Sequence, residues 1–432
     1  MEKFFKLKEH NTNVKTEVLA GITTFMTMAY ILIVNPLMLM DAGMPFGAVF
    51  TATALSSLIA TLVMALFANL PFALAPGMGL NAFFTYVVVI GMGKSFEFAL
   101  TAVFLEGIIF IVLTFLNVRE AIIDSIPLNI KKAISVGIGL FIAFIGLVNS
   151  EVIIHQPYST IIELGNVIEG TALLALVGLV ITGVLLALKI KGALLIGIIA
   201  TTLIGIPMGI TTVGEEFKLL SAPPSMSDTF FKFEFSQIFT FDMFIVLFTF
   251  LMVDMFDTVG TLVGVATKAE MLSEDGKVPN AKQALLADAI GTTVGALFGT
   301  STVTTYVESS AGVAEGGRTG LTALSTAAMF GVALFFSDVF LLIPSAATAP
   351  ALILVGLFMM SPIKDIDFED YTEAIPAFIT FLFMPLAYSI SDGIVFGILA
   401  YIFLKVLTGK ANKVNILTYI VGLIFIAKLL IG

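Results

Sequence analysis

The sequence predicts an all-α polytopic membrane protein made of two inverted seven-span repeats, and three observations carry that expectation. Long apolar runs recur along nearly the whole chain, two of them contain residues that cannot continue a helix, and short motifs of the first half return in the second in the same order. Apolar residues make up 58% of the 432 residues and charged residues only 12%. So few charges cannot cover that much apolar surface in water. The lipid bilayer is therefore the expected solvent for most of it.

At about 20 apolar residues per crossing, candidate spans fall at 18–34, 46–68, 72–91, 96–116, 133–149, 171–188 and 192–210. A second set falls at 240–266, 281–299, 300–315, 320–337, 340–360, 373–388, 391–407 and 415–431. The polar, lysine-bearing start lacks the short apolar stretch and small-residue cleavage site of a signal peptide, so the first run is expected to be a retained span. Repeat boundaries follow: 1–210, a polar linker at 211–239, and 240–432. The run at 415–431 is left over, either as an extra C-terminal helix or as a span divided wrongly. In the linker, the FFKFEF alternation suggests a surface hairpin or an interfacial segment.

The repeat itself is visible in residues. ATLVMALFAN at 60–69 and GTTVGALFGT at 291–300 match Thr61 with Thr292, Val63 with Val294, and Ala65-Leu66-Phe67 with Ala296-Leu297-Phe298. Ile126-Pro127 followed by Gly139-Leu140-Phe141 returns at one constant offset as Ile343-Pro344 followed by Gly356-Leu357-Phe358. Seven spans are an odd number, so the second half enters the bilayer from the opposite side, an arrangement used by secondary transporters with a central site. Lysines and arginines such as Lys131, Lys191, Arg318 and Lys410 fall on the side of the lysine-rich start, and the loops at 35–45 and 150–170 contain neither. The positive-inside rule then makes the N-terminus cytoplasmic.

Several function classes are excluded by composition. There is no cysteine for disulfides or thiolate chemistry, and His10 and His155 fall in the tail and a loop. No metal site and no cofactor are expected. The net charge of −10 and the lack of a basic patch with interleaved aromatics argue against nucleic acid as a partner. No nucleophile–base arrangement suggests an enzyme. A channel would need a continuous polar pathway or rings of selectivity elements, which the sequence does not display.

The broken spans point to the site. The run 72–91 contains Pro76, Gly77 and Gly79 and is preceded by Pro71, and 300–315 contains a β-branched run with Glu308 inside it. Irregular backbone at membrane depth is tolerated only against protein or a water-filled cavity. Extended pieces at 71–77 and 301–307 are expected to pair near the pseudo-two-fold axis, each satisfying the other's backbone. Asp257 lies mid-span, where a charged group normally faces a cavity or a partner; the alternative is a cap on broken backbone. Both carboxylates can accept N–H groups of a neutral ligand and carry a proton. Asp254, one turn before Asp257, either lines the same cavity or binds Thr249, Thr258 or a lysine. Asp288 and Glu106 are expected at a domain interface or in helix packing rather than on the substrate. Asn81 opens a half-helix after Gly77 and Gly79. Thr27 and Tyr30 offer a cavity face on the first span, or a packing face. Phe256 is a candidate ring-stacking residue.

With AGITTFMTMAYILIVNP at 20–36, ALAPGMGLNAFF at 73–84, DMFDTVGTLVG at 254–264 and TTYVESSAGVAEGGRTGLTA at 304–323, the chain resembles the nucleobase permeases of the nucleobase/ascorbate superfamily. It is most similar to the AzgA-like guanine, hypoxanthine and adenine permeases, over nearly its whole length. The resemblance implies a UraA-like 7+7 inverted-repeat fold with short antiparallel strands in spans 3 and 10. A core (18–116 and 240–337) would move against a gate (133–210 and 340–431), and two chains would form a homodimer. Substrate would lie between the strands and span 8, with Asp257 and Glu308 as the base-binding carboxylates and strand–helix junctions at Ala75 to Asn81 and Thr305 to Ser309. The implied function is proton-coupled uptake of purine bases, with protons as the coupling ion. Uracil or xanthine is the nearest alternative, and anion carriage on the same fold is the next. An anion site needs positive charge or helix dipoles, whereas this centre offers acids.

Overall fold

The computed structural model describes residues 2–116, 127–155, 162–213, 217–271 and 278–431. Helices dominate, as they must where lipid offers the backbone no hydrogen bonds. In the first half, α1 (Val14–Met28) and α2 (Ile31–Asp41) form one span, followed by α3 (Phe46–Val63), strand β1 (Leu74–Pro76), α4 (Met78–Ala82), α5 (Phe96–Leu116) and α6 (Leu128–Asn149). A small hairpin of β2 (Ile153–Ile154) and β3 (Glu163–Leu164) precedes α7 (Gly170–Ala187) and α8 (Ala193–Gly205). The second half has α9 (Phe241–Lys268), α10 (Ala281–Phe298), β4 (Val303–Thr305), α11 (Ser309–Ala314), α12 (Gly320–Ala333), α13 (Ser345–Met359), α14 (Tyr371–Leu386), α15 (Ile390–Leu407) and α16 (Ile416–Ile431). Among the described residues nine helices are long and apolar enough to cross a bilayer, and the protein is a multi-pass membrane protein.

The first span is longer than the 18–34 expected. Asn13 caps it, its side chain accepting the Thr16 N–H at 3.0 Å, which is the usual way a helix satisfies an orphan donor. Glu17, one turn inside and fully buried, is held by a ring of donors: the N–H groups of Arg318, Thr319 and Thr322 at 2.9–3.2 Å and the Thr322 hydroxyl at 2.6 Å. The Thr319 and Thr322 N–H groups belong to the first turn of α12, where a helix leaves donors to be satisfied. The glycine-rich exit GGRTG is thus tied to the beginning of the chain.

Two expectations about polar and terminal segments resolve. The FFKFEF stretch is not a hairpin but a series of turns with a short 3-10 turn at Phe235–Gln237. Its backbone finds a partner on a helix end instead, Phe231 N–H donating to Leu297 O at 2.8 Å, and just before it the Thr229 hydroxyl donates to Phe298 O at 2.9 Å. The leftover run is a helix of its own, α16, packed on α15 and touching α9 through the edge-on rings of Phe425 and Phe248.

Repeat-matched residues do matching jobs. Pro127 and Pro344 each stand directly before a helix, α6 and α13, where a missing N–H costs nothing. Those helices cross at Gly139 and Gly356: a Cβ on Gly139 would stand 2.5 Å from the Gly356 carbonyl oxygen, and a Cβ on Gly356 would meet the Gly139 carbonyl. Thr61 and Thr292 each brace a strand, as described below. Packing falls into two groups. Helices α1, α3, α5, α9, α10 and α12 pack on one another, and α6, α7, α8, α13, α14 and α15 do the same.

The Gly139/Gly356 crossing yields a test. Gly356→Leu puts a side chain into the opposing backbone, and overpacking of this kind costs about 1–3 kcal/mol. Thermal unfolding in detergent is expected to show a clear loss for Gly356→Leu and none for Gly183→Ala, whose added Cβ meets nothing within 4 Å. Equal stability of the two variants would contradict the crossing.

Candidate functional site

The centre of the molecule is a two-stranded antiparallel sheet. Leu74 stands opposite Thr305, Ala75 opposite Thr304 and Pro76 opposite Val303. The ladder extends past both ends, with Gly77 N–H donating to Thr302 O and Tyr306 N–H donating to Ala73 O, each at 2.9 Å. All six paired residues are buried. This is the pairing expected from the sequence, and the reason is that two broken backbones in an apolar interior can satisfy each other.

Side chains complete the backbone accounting. Thr61 Oγ1 donates to Leu74 O at 3.1 Å and accepts the Leu74 N–H at 3.0 Å. Its repeat partner Thr292 donates to Val303 O at 2.9 Å. Ser309 Oγ accepts the Ala73 N–H at 2.9 Å, and the Tyr306 hydroxyl donates to Pro76 O at 2.5 Å. Sequence reasoning missed Tyr306, because its role depends on the pairing register. It recorded Thr61 and Thr292 only as repeat matches, although a hydroxyl recurring inside two apolar runs was the available signal.

Four elements converge on the sheet and bring the two carboxylates to it. Asp257, half-buried in the middle of α9, reaches the turn after β1: a Cβ on Gly77 would lie 3.8 Å from Asp257 Oδ2 and 2.7 Å from Thr304 Cγ2. Gly77 is therefore bare because the backbone, Thr304 and the carboxylate approach so closely. Glu308 follows β4 and accepts a hydrogen bond from the buried Tyr30 hydroxyl at 2.8 Å. Thr27 Oγ1, which donates to Thr24 O at 2.8 Å, stands 3.5 Å from Glu308 O. The first span thus lines the site with both Thr27 and Tyr30. Among the described residues neither Asp257 nor Glu308 has an ion-pair partner. Ionised carboxylates only accept hydrogen bonds, so the place suits a ligand that brings N–H donors.

Other expected site residues also contact the strands or their neighbouring helices. Asp254 is fully buried and accepts from Thr258 Oγ1 at 3.1 Å; the same hydroxyl lies 2.9 Å from Asp288 Oδ1 and 2.7 Å from Thr304 Oγ1 on β4. Binding of Thr258 is one of the roles expected for Asp254. Glu106 accepts from Thr302 Oγ1 at 2.6 Å, so both it and Asp288 join spans, as expected. Asn81 accepts from the Ser301 hydroxyl, which commits its carbonyl oxygen to the segment leading into β4, while its buried Nδ2 finds no partner among the described residues. Gly79 faces α6, where an added Cβ would stand 2.7 Å from Ile138 Cγ2; its small size serves helix packing. Ala75 and Thr305 are sheet residues, buried within β1 and β4. The Phe256 side chain lies outside the described residues.

The profile of the Permease family matches residues 15–396. The chain is 44% identical to the guanine/hypoxanthine permease PbuO of Bacillus subtilis, over 99% of this chain and 100% of that protein. It is 42% identical to the adenine permease AdeP of Escherichia coli, over 99% of this chain and 96% of that one. Among solved structures, the transmembrane domain of the cyanobacterial bicarbonate transporter BicA superposes with a TM-score of 0.66 at 17% identity, covering 89% of this chain and 97% of that one. At that identity the likeness speaks to fold alone, and the fold is the UraA-like inverted-repeat transporter architecture expected from the sequence.

Thr61→Val tests the bracing of the sheet. It keeps the shape and removes the hydroxyl, leaving the buried Leu74 groups without that partner, a loss of about 1–3 kcal/mol. A lowered melting temperature with proportionally lower yield of folded protein is expected in detergent. Unchanged thermal stability would mean that the hydroxyl does not support the strand.

Proposed function

This chain belongs to the permease family, among the relatives of the guanine, hypoxanthine and adenine permeases, and from that premise we propose that it carries purine nucleobases into the cell together with protons. The observation that carries the reading is the placement of two carboxylates, Asp257 and Glu308, beside the paired strands at the centre of the bundle. Guanine, hypoxanthine and adenine are neutral, planar and rich in N–H groups. The names of PbuO and AdeP support this substrate class.

In the proposed cycle the base lies against the β1–β4 platform and donates N–H groups to Asp257 and Glu308. Tyr30 holds the Glu308 carboxylate in place, and Thr27 stands against its backbone. A proton on one of these acids lowers the cost of carrying buried charge through the apolar interior. Coupling then follows from electrostatics: the loaded, protonated core moves more readily than the empty, charged one. The two packing groups support a core of 18–116 and 240–337 moving against a gate of 133–210 and 340–431. We take the N-terminus as cytoplasmic from the lysine and arginine distribution, and a homodimer through gate helices as the assembled form. An anion would meet two acids at the centre, which disfavours it.

Uptake of radiolabelled guanine, hypoxanthine, adenine, uracil and xanthine into proteoliposomes checks the reading. Purine uptake stimulated by an inward proton gradient is expected. Removing a charged hydrogen-bond partner costs about 1.5–3 kcal/mol, so Asp257→Asn and Glu308→Gln should each slow uptake by roughly ten- to a hundredfold. Full uptake by either variant would sink its assignment, and preference for uracil or xanthine would move the substrate class.

A further inference from the structure

A cavity of about 220 Å³ opens at the end of the bundle where α2 finishes. Two sides build it: Met38 and Asp41 from α2 and Tyr86 from the helical run after α4 on one, and Asn149 from the end of α6 with Thr348 and Leu352 from α13 on the other. A hydrogen-bond chain crosses it. The Tyr86 hydroxyl donates to Asp41 Oδ2 at 2.7 Å and accepts from Asn149 Nδ2 at 3.0 Å. Tyr86 is buried and Asp41 exposed, so the carboxylate faces the open side and the phenol closes the inner side. The ring of Tyr388 stands edge-on to Tyr86 with centroids 6.0 Å apart, which holds the phenol in place.

Two of these walls lead to the central carboxylates. Helix α2 follows directly on Tyr30, the donor to Glu308, and its 11 residues rise about 16 Å to Asp41. Tyr86 lies on the helical run that starts after Gly77, beside Asp257. The cavity therefore stands over the central site on the same two elements.

Its chemistry repeats that of the centre. A carboxylate accepts two parallel N–H donors, and Asp41 gives only one oxygen to Tyr86. Met38 offers a polarizable, adaptable wall for a ring face. At about 220 Å³ the cavity is smaller than the roughly 300 Å³ at which drug-sized sites begin, a size for a single planar heterocycle rather than a larger ligand.

We propose that this cavity is a second, vestibular site for a planar base with adjacent N–H donors. The base takes the place of the Tyr86 hydroxyl on Asp41 and so opens the Asp41–Tyr86–Asn149 chain that ties the first and third spans to α6. Entry of substrate and release of that mouth become one event. The inference rests on the nucleobase reading above, and its test separates the two.

The chain has no tryptophan, so Leu37→Trp, at another position on the cavity wall, supplies a fluorescence signal of its own; Leu352→Trp replaces it if the first reporter does not take up guanine. Guanine is expected to quench the reporter saturably, and to do so in the Glu308→Gln background as well. Asp41→Asn should raise the half-quenching concentration at least tenfold. It should also slow uptake at low guanine, with recovery at saturating guanine. Quenching lost in Glu308→Gln, or unchanged in Asp41→Asn, overturns the vestibular site. Uptake without any quenching overturns it and leaves the purine reading standing. Neither uptake nor quenching by any nucleobase, in folded protein, overturns both.

Discussion

The structure depends on the pairing of β1 with β4. Both strands are stretches of broken helix in an apolar interior, where each unsatisfied backbone group costs several kcal/mol. Neither can exist without the other. Their contact forces spans 3 and 10 to meet, and the hydroxyls of Thr61, Thr292, Ser309 and Tyr306 settle the groups that the ladder leaves over. The site follows from this constraint, because chain that has given up the helix for the strand must re-enter it, and Gly77 and Glu308 stand at the two re-entry points.

Duplication explains how the constraint is met. Equivalent pieces of the two inverted repeats come together at the paired strands, so each half completes the other's backbone. The strands pair, Pro127 and Pro344 open equivalent helices, and Gly139 and Gly356 let those helices cross with backbones touching. Buried polar groups follow the same economy. Glu106, Asp254 and Asp288 each bind a hydroxyl on or beside the strand layer, which braces the platform and leaves Asp257 and Glu308 as the carboxylates at its edge.

Much of this was legible in the sequence, for physical reasons. Apolar runs of membrane length, proline and glycine in one run and β-branched residues in the other announced the spans and their breaks. Short repeat matches announced the symmetry, and the two central acids stood out because charge at membrane depth is costly. What stayed hidden were choices made by register and neighbours. Asn81 sits inside the half-helix, which opens at Met78, and its carbonyl takes the Ser301 hydroxyl; Ser309 binds the Ala73 N–H, and Gly79 makes room for Ile138. The FFKFEF alternation imitates a strand, yet nearby helix ends offered its backbone better partners. Glu17 gave no signal, since its donors lie some 300 residues away in sequence.

The central claim is that a purine base is held by Asp257 and Glu308 against an intact strand pair. A structure of the guanine-bound protein tests it most directly. The account predicts base N–H groups within hydrogen-bond distance of both carboxylates, with Leu74 still opposite Thr305. Guanine bound away from both acids, or strands separated in the complex, would contradict it.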